Sequence, residues 1–241
     1  MQSLKPYKIL SGIYAFLMKD IDYDAWAEYL YDLTLDAEIF PRSVLEIAGG
    51  NGAIAARLSK KFDCRFILSD LSKEMLSLQI TSLPKVACDM RALPFRREFD
   101  LIISTFDSVN YLLSENDLVK FFTEVSGILS DDGIFLFDVS LEKNSVNNAE
   151  RFNRKGKFNG IQFEQKSFYD AERRVHTNEF FVEYENEKFY EKHEQRIYPF
   201  FDYFSFLEKA GLFAVDCFDA FTFDDATPES ERAQFVVRKA R

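Results

Sequence analysis

The sequence contains little cysteine and little histidine. Its three cysteines, Cys64, Cys88 and Cys217, are widely separated and lie in or beside apolar runs. They lack the spacing of a metal site, so we expect reduced thiols in the core. Only 2 histidines are present, and no Ser-His-Asp arrangement or cluster of metal ligands is visible. Hydrolysis by such a triad and metal catalysis are therefore not indicated.

Long apolar runs and clusters of basic residues are missing as well. No uncharged apolar segment is long enough to span a bilayer, and the N-terminus lacks the basic-then-apolar pattern of a signal peptide. We therefore expect a cytoplasmic protein with no membrane partner. The 30 Lys and Arg residues against 40 Asp and Glu give a net charge of −10, which argues against nucleic acid as a partner. A monomer or homodimer that acts on a small molecule is the expectation.

A glycine-rich turn at residues 48–52 is the most informative stretch. It follows Val44–Ile47, a short apolar run that predicts a buried parallel strand, and it precedes a helical pattern. Strand, glycine turn and helix together bring backbone N–H groups and a helix N-terminus to a ligand. The spacing of Gly50, Gly52 and Ala55 fits the dinucleotide fingerprint G-x-G-x-x-A. A nucleotide-like ligand is predicted, and an NAD-dependent oxidoreductase is one class that would bind it.

The residues from Glu46 to Gly52 read Glu-Ile-Ala-Gly-Gly-Asn-Gly. This run resembles the first motif of the class I S-adenosylmethionine-dependent methyltransferases, which is acidic–apolar–Gly/Ala–x–Gly–x–Gly. Ala48 stands at the position of the first glycine. The resemblance implies that the loop packs against the methionine part of the cofactor, with contacts from Glu46, Ala48, Gly49, Gly50 and Gly52.

Acidic residues at the ends of the next two predicted strands extend the resemblance. Asp70 ends the run Cys64–Asp70, where its carboxylate can accept hydrogen bonds from the ribose hydroxyls, as in dehydrogenases and methyltransferases alike. Asp89 follows the run Lys85–Cys88, and in the methyltransferases an acid there accepts from the adenine amino group. A fourth strand, 99–104, completes the pattern. The resemblance implies S-adenosylmethionine as cofactor, S-adenosylhomocysteine as product, and further cofactor contacts from Tyr14, Trp26, Leu71, Met75, Cys88, Met90, Thr105 and Phe106.

Two segments are expected to border the transferred methyl group. Asp107, Asn110 and Tyr111 follow the fourth strand, at the end of the sheet where ligands bind in open α/β folds. We expect Asp107 to act in catalysis and the other two to bind substrate, although such polar residues can equally cap a loop. Related methyltransferases begin with a Tyr-rich segment that folds over the cofactor. Tyr7 or Tyr14 could do so here, with Tyr14 taking part in catalysis, or both could be packing residues.

From about residue 150 the pattern changes to runs that are typical of strands. Asn-Gly at 159–160 is a hairpin signal, and the runs Ile161–Tyr169, Val175–Tyr184 and Lys188–Tyr198 predict an antiparallel meander. Such an insertion resembles the sheet over the active site in bacterial methyltransferases that act on small amines, including amino sugars.

The last strand of this insertion carries the run His-x-x-Arg-x-Tyr, formed by His193, Arg196 and Tyr198. A similar run in related methyltransferases implies that Arg196 and Tyr198 orient the acceptor while His193 helps to remove its proton. In a regular strand His193 faces the side opposite to the other two. A structural ion pair is the alternative role for Arg196.

The predicted fold class is α/β. It consists of a Rossmann-like seven-stranded mostly parallel sheet with a C-terminal antiparallel hairpin, plus an inserted antiparallel β-meander. Residues 1–40 are a helical lead-in, 41–149 and 199–241 form the cofactor-binding core, and 150–198 form the inserted sheet over the substrate. The predicted function is methyl transfer from S-adenosylmethionine to nitrogen or oxygen of a small acceptor. The alternatives are an NAD-dependent oxidoreductase, supported by the glycine turn alone, and a non-catalytic S-adenosylmethionine-binding protein.

Overall fold

The structure is a computed structural model that describes residues 1–78 and 80–240, where the chain forms two β-sheets with helices packed around them. No helix in these two ranges is long and apolar enough to cross a membrane. The three cysteines are free thiols, as predicted. They were expected in the core, but all three are only partly buried.

The first forty residues combine a short strand with helices. The spacing of Trp26, Tyr29, Leu30 and Leu33 in the sequence predicts an amphipathic helix, and the second helix buries these four side chains against the larger sheet. Asp22 caps that helix by accepting hydrogen bonds from two N–H groups of its first turn. The elements are β1 (Gln2–Leu4), α1 (Tyr14–Leu17) and α2 (Tyr23–Asp36).

The central part of the chain alternates strands and helices, as the sequence predicts. Ser114 caps the helix that begins at Glu115 by accepting a hydrogen bond from the N–H of Asp117 at 3.1 Å. The elements are β2 (Ser43–Ile47), α3 (Ala55–Leu58), β3 (Arg65–Asp70), α4 (Lys73–Ser77), β4 (Lys85–Ala87), β5 (Phe99–Ser104), α5 (Glu115–Ile128) and β6 (Leu129–Ser140).

The remaining elements form the antiparallel insertion and the return to the larger sheet. Asn159 and Gly160 turn the first hairpin of the insertion with φ of 48° and 80°, as expected for a two-residue turn of this kind. The elements are α6 (Glu142–Asn148), β7 (Arg154–Phe158), β8 (Ile161–Asp170), β9 (Val175–Tyr184), β10 (Glu187–Arg196), α7 (Asp202–Lys209), β11 (Leu212–Asp219) and β12 (Arg232–Lys239).

The larger sheet has seven strands in the order β11-β12-β6-β5-β2-β3-β4. Strands β2 to β6 run parallel to one another, whereas β12 lies antiparallel between β6 and β11. The predicted mostly parallel sheet with its C-terminal antiparallel hairpin is therefore confirmed. Because the parallel strands share one direction, the loops after β2, β3, β4 and β5 all lie at the same edge.

The start of β6 differs from the prediction. The sequence predicts a turn at 131–133 and a strand from Ile134, whereas the strand begins at Leu129. Phe99 pairs with Leu129 but Leu101 pairs with Ile134, so the intervening residues form a bulge. The residues that predict a turn are thus accommodated within one strand.

The second sheet has five strands in the order β1-β10-β9-β8-β7. Its antiparallel part follows the predicted meander, with β7 as an additional strand. Strand β1 was not predicted: it pairs in parallel with β10, and Gln2 lies opposite Phe189. A strand of three residues is too short to show an alternating pattern, and its partner strand β10 lies far away in the sequence. The pairing brings the N-terminal segment between the two sheets.

Candidate active site

A cavity of about 780 Å³ lies at the edge of the larger sheet where β2, β3, β4 and β5 end. This volume is in the range of roughly 300–1,000 Å³ that is common for small-molecule sites. The cavity is lined by most of the predicted cofactor contacts, namely Tyr14, Glu46, Ala48, Gly49, Gly50, Asp70, Leu71, Met75, Cys88, Asp89, Met90, Thr105 and Phe106.

The turn after β2 is held by hydrogen bonds that leave its backbone facing the cavity. The Gly50 N–H donates to Asp70 Oδ2 at 2.8 Å, and the Ser72 N–H donates to Asp70 Oδ1 at 2.7 Å. Burial raises the pKa of Asp70, and these N–H groups oppose the rise. Each carboxylate oxygen keeps a second lone pair, so Asp70 can still accept from the hydroxyls of a ribose.

Several residues around the cavity have left-handed backbone that only glycine adopts without strain. Ala48 has φ of 55°, Phe106 of 58° and Tyr7 of 62°. Each such residue costs about 1–3 kcal/mol and persists only where the surrounding structure holds it. Ala48 therefore occupies the first-glycine position of the motif at a conformational cost.

Gly49 has no room for a side chain. A Cβ there would lie 2.6 Å from Cδ of Glu46 and would also press on Leu68. We expect Gly49→Ala to destabilise the protein by roughly 1–3 kcal/mol and to weaken cofactor binding, because the turn must shift. Gly127→Ala is the matched control, since nothing lies within 4 Å of a Cβ at that helical position. Urea unfolding of both variants measures the difference, and equal stabilities would contradict this packing.

Glu46 is a carboxyl group enclosed by the protein. Its side chain is 2% exposed, and Oε2 accepts a hydrogen bond from the Ala55 N–H at 3.0 Å, next to the start of α3. Burial raises its pKa from 4.5 to about 8. The group thus fastens the turn to the helix and lies at the base of the cavity.

Because the pKa of Glu46 is raised, the free energy of unfolding should decrease as the pH rises. Between pH 4.5 and about 8 the folded protein holds the Glu46 proton longer than the unfolded chain does. The contribution of the Glu46 proton to the free energy of unfolding is fully present below pH 4.5. As the pH rises toward 8 the free energy of unfolding falls, by at most about 1.4 kcal/mol per pH unit. We expect Glu46→Gln to remove this slope. Urea unfolding of both proteins at pH 5, 6.5 and 8 measures it, and parallel pH profiles would refute the assignment.

Asp89 faces the opposite part of the cavity and is already paired. Arg91 donates to it through Nε at 3.0 Å and through a terminal nitrogen at 2.7 Å, and also reaches Asp117 at 3.1 Å. The Arg91 guanidinium lowers the pKa of Asp89. A charged carboxylate is thereby maintained where the methyltransferase resemblance expects an acceptor for the adenine amino group.

The N-terminal segment covers the cavity from the side of the second sheet. Residues 3–8 and Tyr14 line it, and Lys8 forms an ion pair with Glu74 on α4. The Tyr7 hydroxyl lies 3.0 Å from that of Tyr111. Burial raises the pKa of both tyrosines. One end of the cavity is therefore lined by neutral phenols.

Asp107 does not have the free carboxylate that a catalytic base needs. One oxygen lies 2.5 Å from a terminal nitrogen of Arg232, and the other accepts from Gln195. Arg232 also pairs with buried Asp138. This geometry does not favour the predicted catalytic role, because the carboxylate is paired with an arginine and Asp107 does not line the cavity. Its contacts join β12 and β10 to the loop after β5.

Three predicted substrate contacts also point elsewhere. Asn110 is buried and donates to the carbonyl of Arg196 at 2.8 Å. The Arg196 guanidinium donates to the carbonyl of Arg173, and the Tyr198 hydroxyl donates to the carbonyl of Leu112 at 2.8 Å. None of the three lines the cavity. This placement does not favour the predicted substrate role, since Asn110 and Tyr198 lie in the core and Arg196 is on the outer side of β10.

Trp26 and Gly52 are likewise absent from the lining. Trp26 packs on Phe106, with ring centroids 4.6 Å apart, and on Phe221 at 4.5 Å. It therefore supports a cavity residue from behind instead of contacting the cofactor. Gly52 accordingly lies one step away from the cavity, within the turn, and its N–H donates to the carbonyl of Gly49 at 2.9 Å.

His193 lies directly behind the tyrosines. Its Nδ1 is 3.0 Å from the Tyr111 hydroxyl, and the side chain is 4% exposed, so Tyr111 separates it from the cavity. Glu191 faces the same side of β10, two residues earlier, as strand alternation requires. Sequence reasoning missed Glu191; its spacing from His193 within a strand was the available signal.

The sequence matches the family described as "Methyltransferase domain" over residues 44–133. YqeM of Bacillus subtilis (strain 168), a provisionally assigned methyltransferase, is 31% identical over 252 residues, which cover 98% of each protein. The chain belongs to the S-adenosylmethionine-dependent methyltransferases. The NAD-dependent oxidoreductase that the glycine turn allowed is thus set aside, and S-adenosylmethionine is the cofactor.

Solved structures share the fold of this methyltransferase over almost its full length. An S-adenosylmethionine-dependent methyltransferase from Clostridium acetobutylicum ATCC 824 has a TM-score of 0.82 at 24% identity and covers 98% of this chain and 99% of its own. CalS10 of Micromonospora echinaspora, an amino pentose methyltransferase solved with S-adenosylmethionine bound, has a TM-score of 0.70 at 18% identity, with 94% and 95% covered. Both include the inserted sheet in the matched length.

Proposed function

We propose that this methyltransferase transfers the methyl group of S-adenosylmethionine to a nitrogen or oxygen atom of a small molecule. The observation that carries this proposal is the division of the cavity into two parts. One part is formed by the glycine turn with Asp70 and Asp89. The other is formed by the hydroxyls of Tyr7 and Tyr111 under the N-terminal segment.

The residues present fit the cofactor. The turn at Gly49 and Gly50 offers backbone without side chains to the methionine part, and Asp70 retains lone pairs for the ribose. Asp89 is paired with Arg91 as a charged carboxylate and is the proposed acceptor for the adenine amino group, and the apolar side chains of Leu71 and Met90 line the same cavity. When bound, the cofactor supplies an activated methyl group on a sulfonium.

The chain's own contribution is then chiefly positioning. Holding the acceptor in line with the methyl carbon can supply roughly 7–11 kcal/mol in well-oriented cases. The segment at residues 3–8 and the second sheet close the cavity, which excludes water from the reacting atoms. Tyr14 lies beside Tyr7, with ring centroids 6.1 Å apart, and we assign it to the wall that orients the acceptor.

The tyrosine-lined part favours a small neutral or amine acceptor. Phenol rings bind amines and cations through their faces and hydroxyls. Of the three cations among the described residues that line the cavity, Lys8 and Arg91 are already paired with acids, and the third, Lys5, is an exposed side chain. A net charge of −10 disfavours a nucleic-acid acceptor. CalS10, which shares this fold, is described as an amino pentose methyltransferase, and an acceptor that carries an amine is in keeping with that description.

Two measurements test the proposal. Calorimetric titration with S-adenosylmethionine and, in parallel, with NADH should show binding of the first alone. Transfer of radiolabel from methyl-labelled S-adenosylmethionine is then measured for a panel of amines, amino sugars and hydroxylated small molecules, with single-stranded RNA and duplex DNA included. Label on a small amine or alcohol is the expected result. Binding without any transfer would indicate a non-catalytic cofactor-binding protein, and label on nucleic acid would overturn the small-molecule acceptor.

A further inference from the structure

A chain of polar side chains leads from the cavity into the second sheet. The hydroxyls of Tyr7 and Tyr111 are 3.0 Å apart, and the Tyr111 oxygen is 3.0 Å from Nδ1 of His193. The other ring nitrogen, Nε2, lies 3.4 Å from Oε2 of Glu191. Glu191 is 0% exposed. The chain thus begins at the acceptor end of the cavity and ends at an enclosed acid.

Among the residues that the structure describes, the hydrogen-bond and ion-pair contacts of the Glu191 oxygens are with nitrogens that can donate. Oε1 accepts hydrogen bonds from the backbone N–H groups of Ile9 and Leu10, the second at 3.2 Å. Oε2 faces the His193 ring. A carboxylate, with Oε1 accepting from two N–H groups and Oε2 turned toward the ring nitrogen at 3.4 Å, fits this arrangement. A carboxylic acid would place an O–H against N–H donors. The imidazole is therefore expected to turn a protonated Nε2 toward Glu191.

That tautomer fixes the direction of the hydrogen bonds that connect Tyr111, His193 and Glu191. With the proton on Nε2, Nδ1 holds a lone pair and accepts a hydrogen bond from the Tyr111 hydroxyl. The two lone pairs of the Tyr111 oxygen are then available for the Tyr7 hydroxyl and for a group in the cavity. Other rings around His193, those of Tyr7 and Phe180, pack edge-on with centroids 4.8 and 5.5 Å away.

We propose that Tyr111 is the catalytic residue that takes the acceptor's proton, and that His193 and Glu191 are positioning residues that set the direction of this transfer. The proposal rests on the proposed function, since it needs an acceptor with an N–H or O–H group. As that nitrogen or oxygen bonds to the methyl carbon, the carbon–sulfur bond breaks and its electron pair stays on sulfur. The acceptor's proton passes to the Tyr111 oxygen, and the Tyr111 proton passes to Nδ1 of His193.

The surroundings explain why the proton is handed on. Burial raises the pKa of Tyr111, which disfavours a free phenolate in the cavity. The imidazolium formed at His193 lies beside the Glu191 carboxylate, so the new charge is paired within the protein. When the product leaves, the proton returns through Tyr111 to water that enters the cavity, and the chain is reset.

The same carboxylate also docks the N-terminal segment. Ile9 and Leu10 follow Tyr7 by two and three residues, and their N–H groups are held by Glu191. Tyr7 reaches Tyr111 only while this segment is in place. Glu191 therefore assembles both the relay and the cover of the cavity.

Glu191→Gln separates these two roles. The glutamine carbonyl can still accept from Ile9 and Leu10, but its amide would donate to Nε2 of His193. The ring would then carry its proton on Nδ1 and donate to Tyr111, which reverses the relay. Glu191→Ala would instead release the segment. Glu194→Gln is the matched control, because Glu194 lies on the opposite face of the same strand and pairs with Lys192 at 2.8 Å.

Nitrogen-15 NMR of the imidazole rings tests this without any acceptor, on the full chain with S-adenosylhomocysteine added. The chain has only 2 histidines, and His176 is an internal control held by Ser145 and Ser167 at 3.0 and 2.8 Å. We expect His193 with its proton on Nε2 in the parent and in Glu194→Gln, and on Nδ1 in Glu191→Gln. Tyr111→Phe should shift only the Nδ1 signal of His193. A parent proton on Nδ1, or an unchanged tautomer in Glu191→Gln, would overturn the proposal.

Turnover gives the second readout, on the acceptor that takes label in the panel above. Tyr111→Phe and Glu191→Gln should each lower kcat by about 100-fold to 10,000-fold, the range for a lost general base, with the Kd for S-adenosylmethionine unchanged. Unchanged turnover in either variant would refute the relay. Failure of the parent to bind S-adenosylmethionine would refute the proposed function instead. The NMR experiment would still show which nitrogen of His193 carries the proton.

Discussion

Asp70→Ala is expected to weaken S-adenosylmethionine binding by roughly 100-fold to 10,000-fold. The variant loses two hydrogen bonds from the ribose hydroxyls to a carboxylate, each worth about 1.5–3 kcal/mol. It also frees the Gly50 and Ser72 N–H groups that the carboxylate holds at 2.8 and 2.7 Å. Calorimetric titration of the variant gives the change in Kd.

Asp100→Ala is the matched control for the structural part of that loss. Asp100 accepts from the backbone N–H groups of Arg42 and Ser43 at 2.8 and 3.0 Å, but at the opposite end of the sheet. It should lower the free energy of unfolding without a change in the Kd for S-adenosylmethionine. Equal losses of affinity in the two variants would mean that Asp70 acts on binding through stability alone.

The largest effect on stability is expected from Arg232→Met. Asp138 is 0% exposed and is paired by Arg232, and Arg232 also pairs with Asp107. Removing the cation leaves a buried carboxylate uncompensated, which costs about 3–5 kcal/mol. For a chain of this length the melting temperature should fall by roughly 6–20 °C. Thermal and urea unfolding measure the loss.

Two further measurements, at low pH and on a second variant, test whether the unpaired Asp138 carboxylate causes the loss of stability. Burial raises the pKa of Asp138 and Arg232 opposes the rise, so without Arg232 the acid is protonated more readily. The stability difference between parent and variant should therefore shrink as pH falls. Arg238→Met is the control on the same strand, because Arg238 donates only to the carbonyls of Asp132 and Ala37 in the described contacts. A loss in Arg238→Met as large as in Arg232→Met would show that charge pairing is not responsible.

The cofactor half of this site could be predicted because its signals are local. Glu46, the glycine turn and Asp70 lie within one strand–turn–helix–strand unit, and their spacing alone indicates a shared edge of a parallel sheet. The inserted meander was also predictable, since Asn159 and Gly160 require a tight hairpin between alternating strands. Such features depend on neighbours a few residues away.

The acceptor half could not be predicted in the same way, because it depends on contacts between distant residues. Glu191 accepts from Ile9 across a separation of 182 residues, and Arg232 pairs with Asp107 across 125. The pairing of Asp107 could not be foreseen, because the sequence does not reveal which cation will lie beside a carboxylate. The placement of Arg196 follows from strand alternation, which puts it on the face opposite to His193.

The pairing of β1 with β10 has a consequence for the order of assembly. Gln2 is synthesised long before its partner Phe189, so the two can pair only after the residues between them have been made. Closing so long a loop is entropically costly and slow compared with forming local hairpins. The strand–helix core and the meander would therefore be built first, and the substrate cover added last. A substitution that disturbs β1 would therefore act at this final step, next to the cavity that Ser3 and Leu4 line.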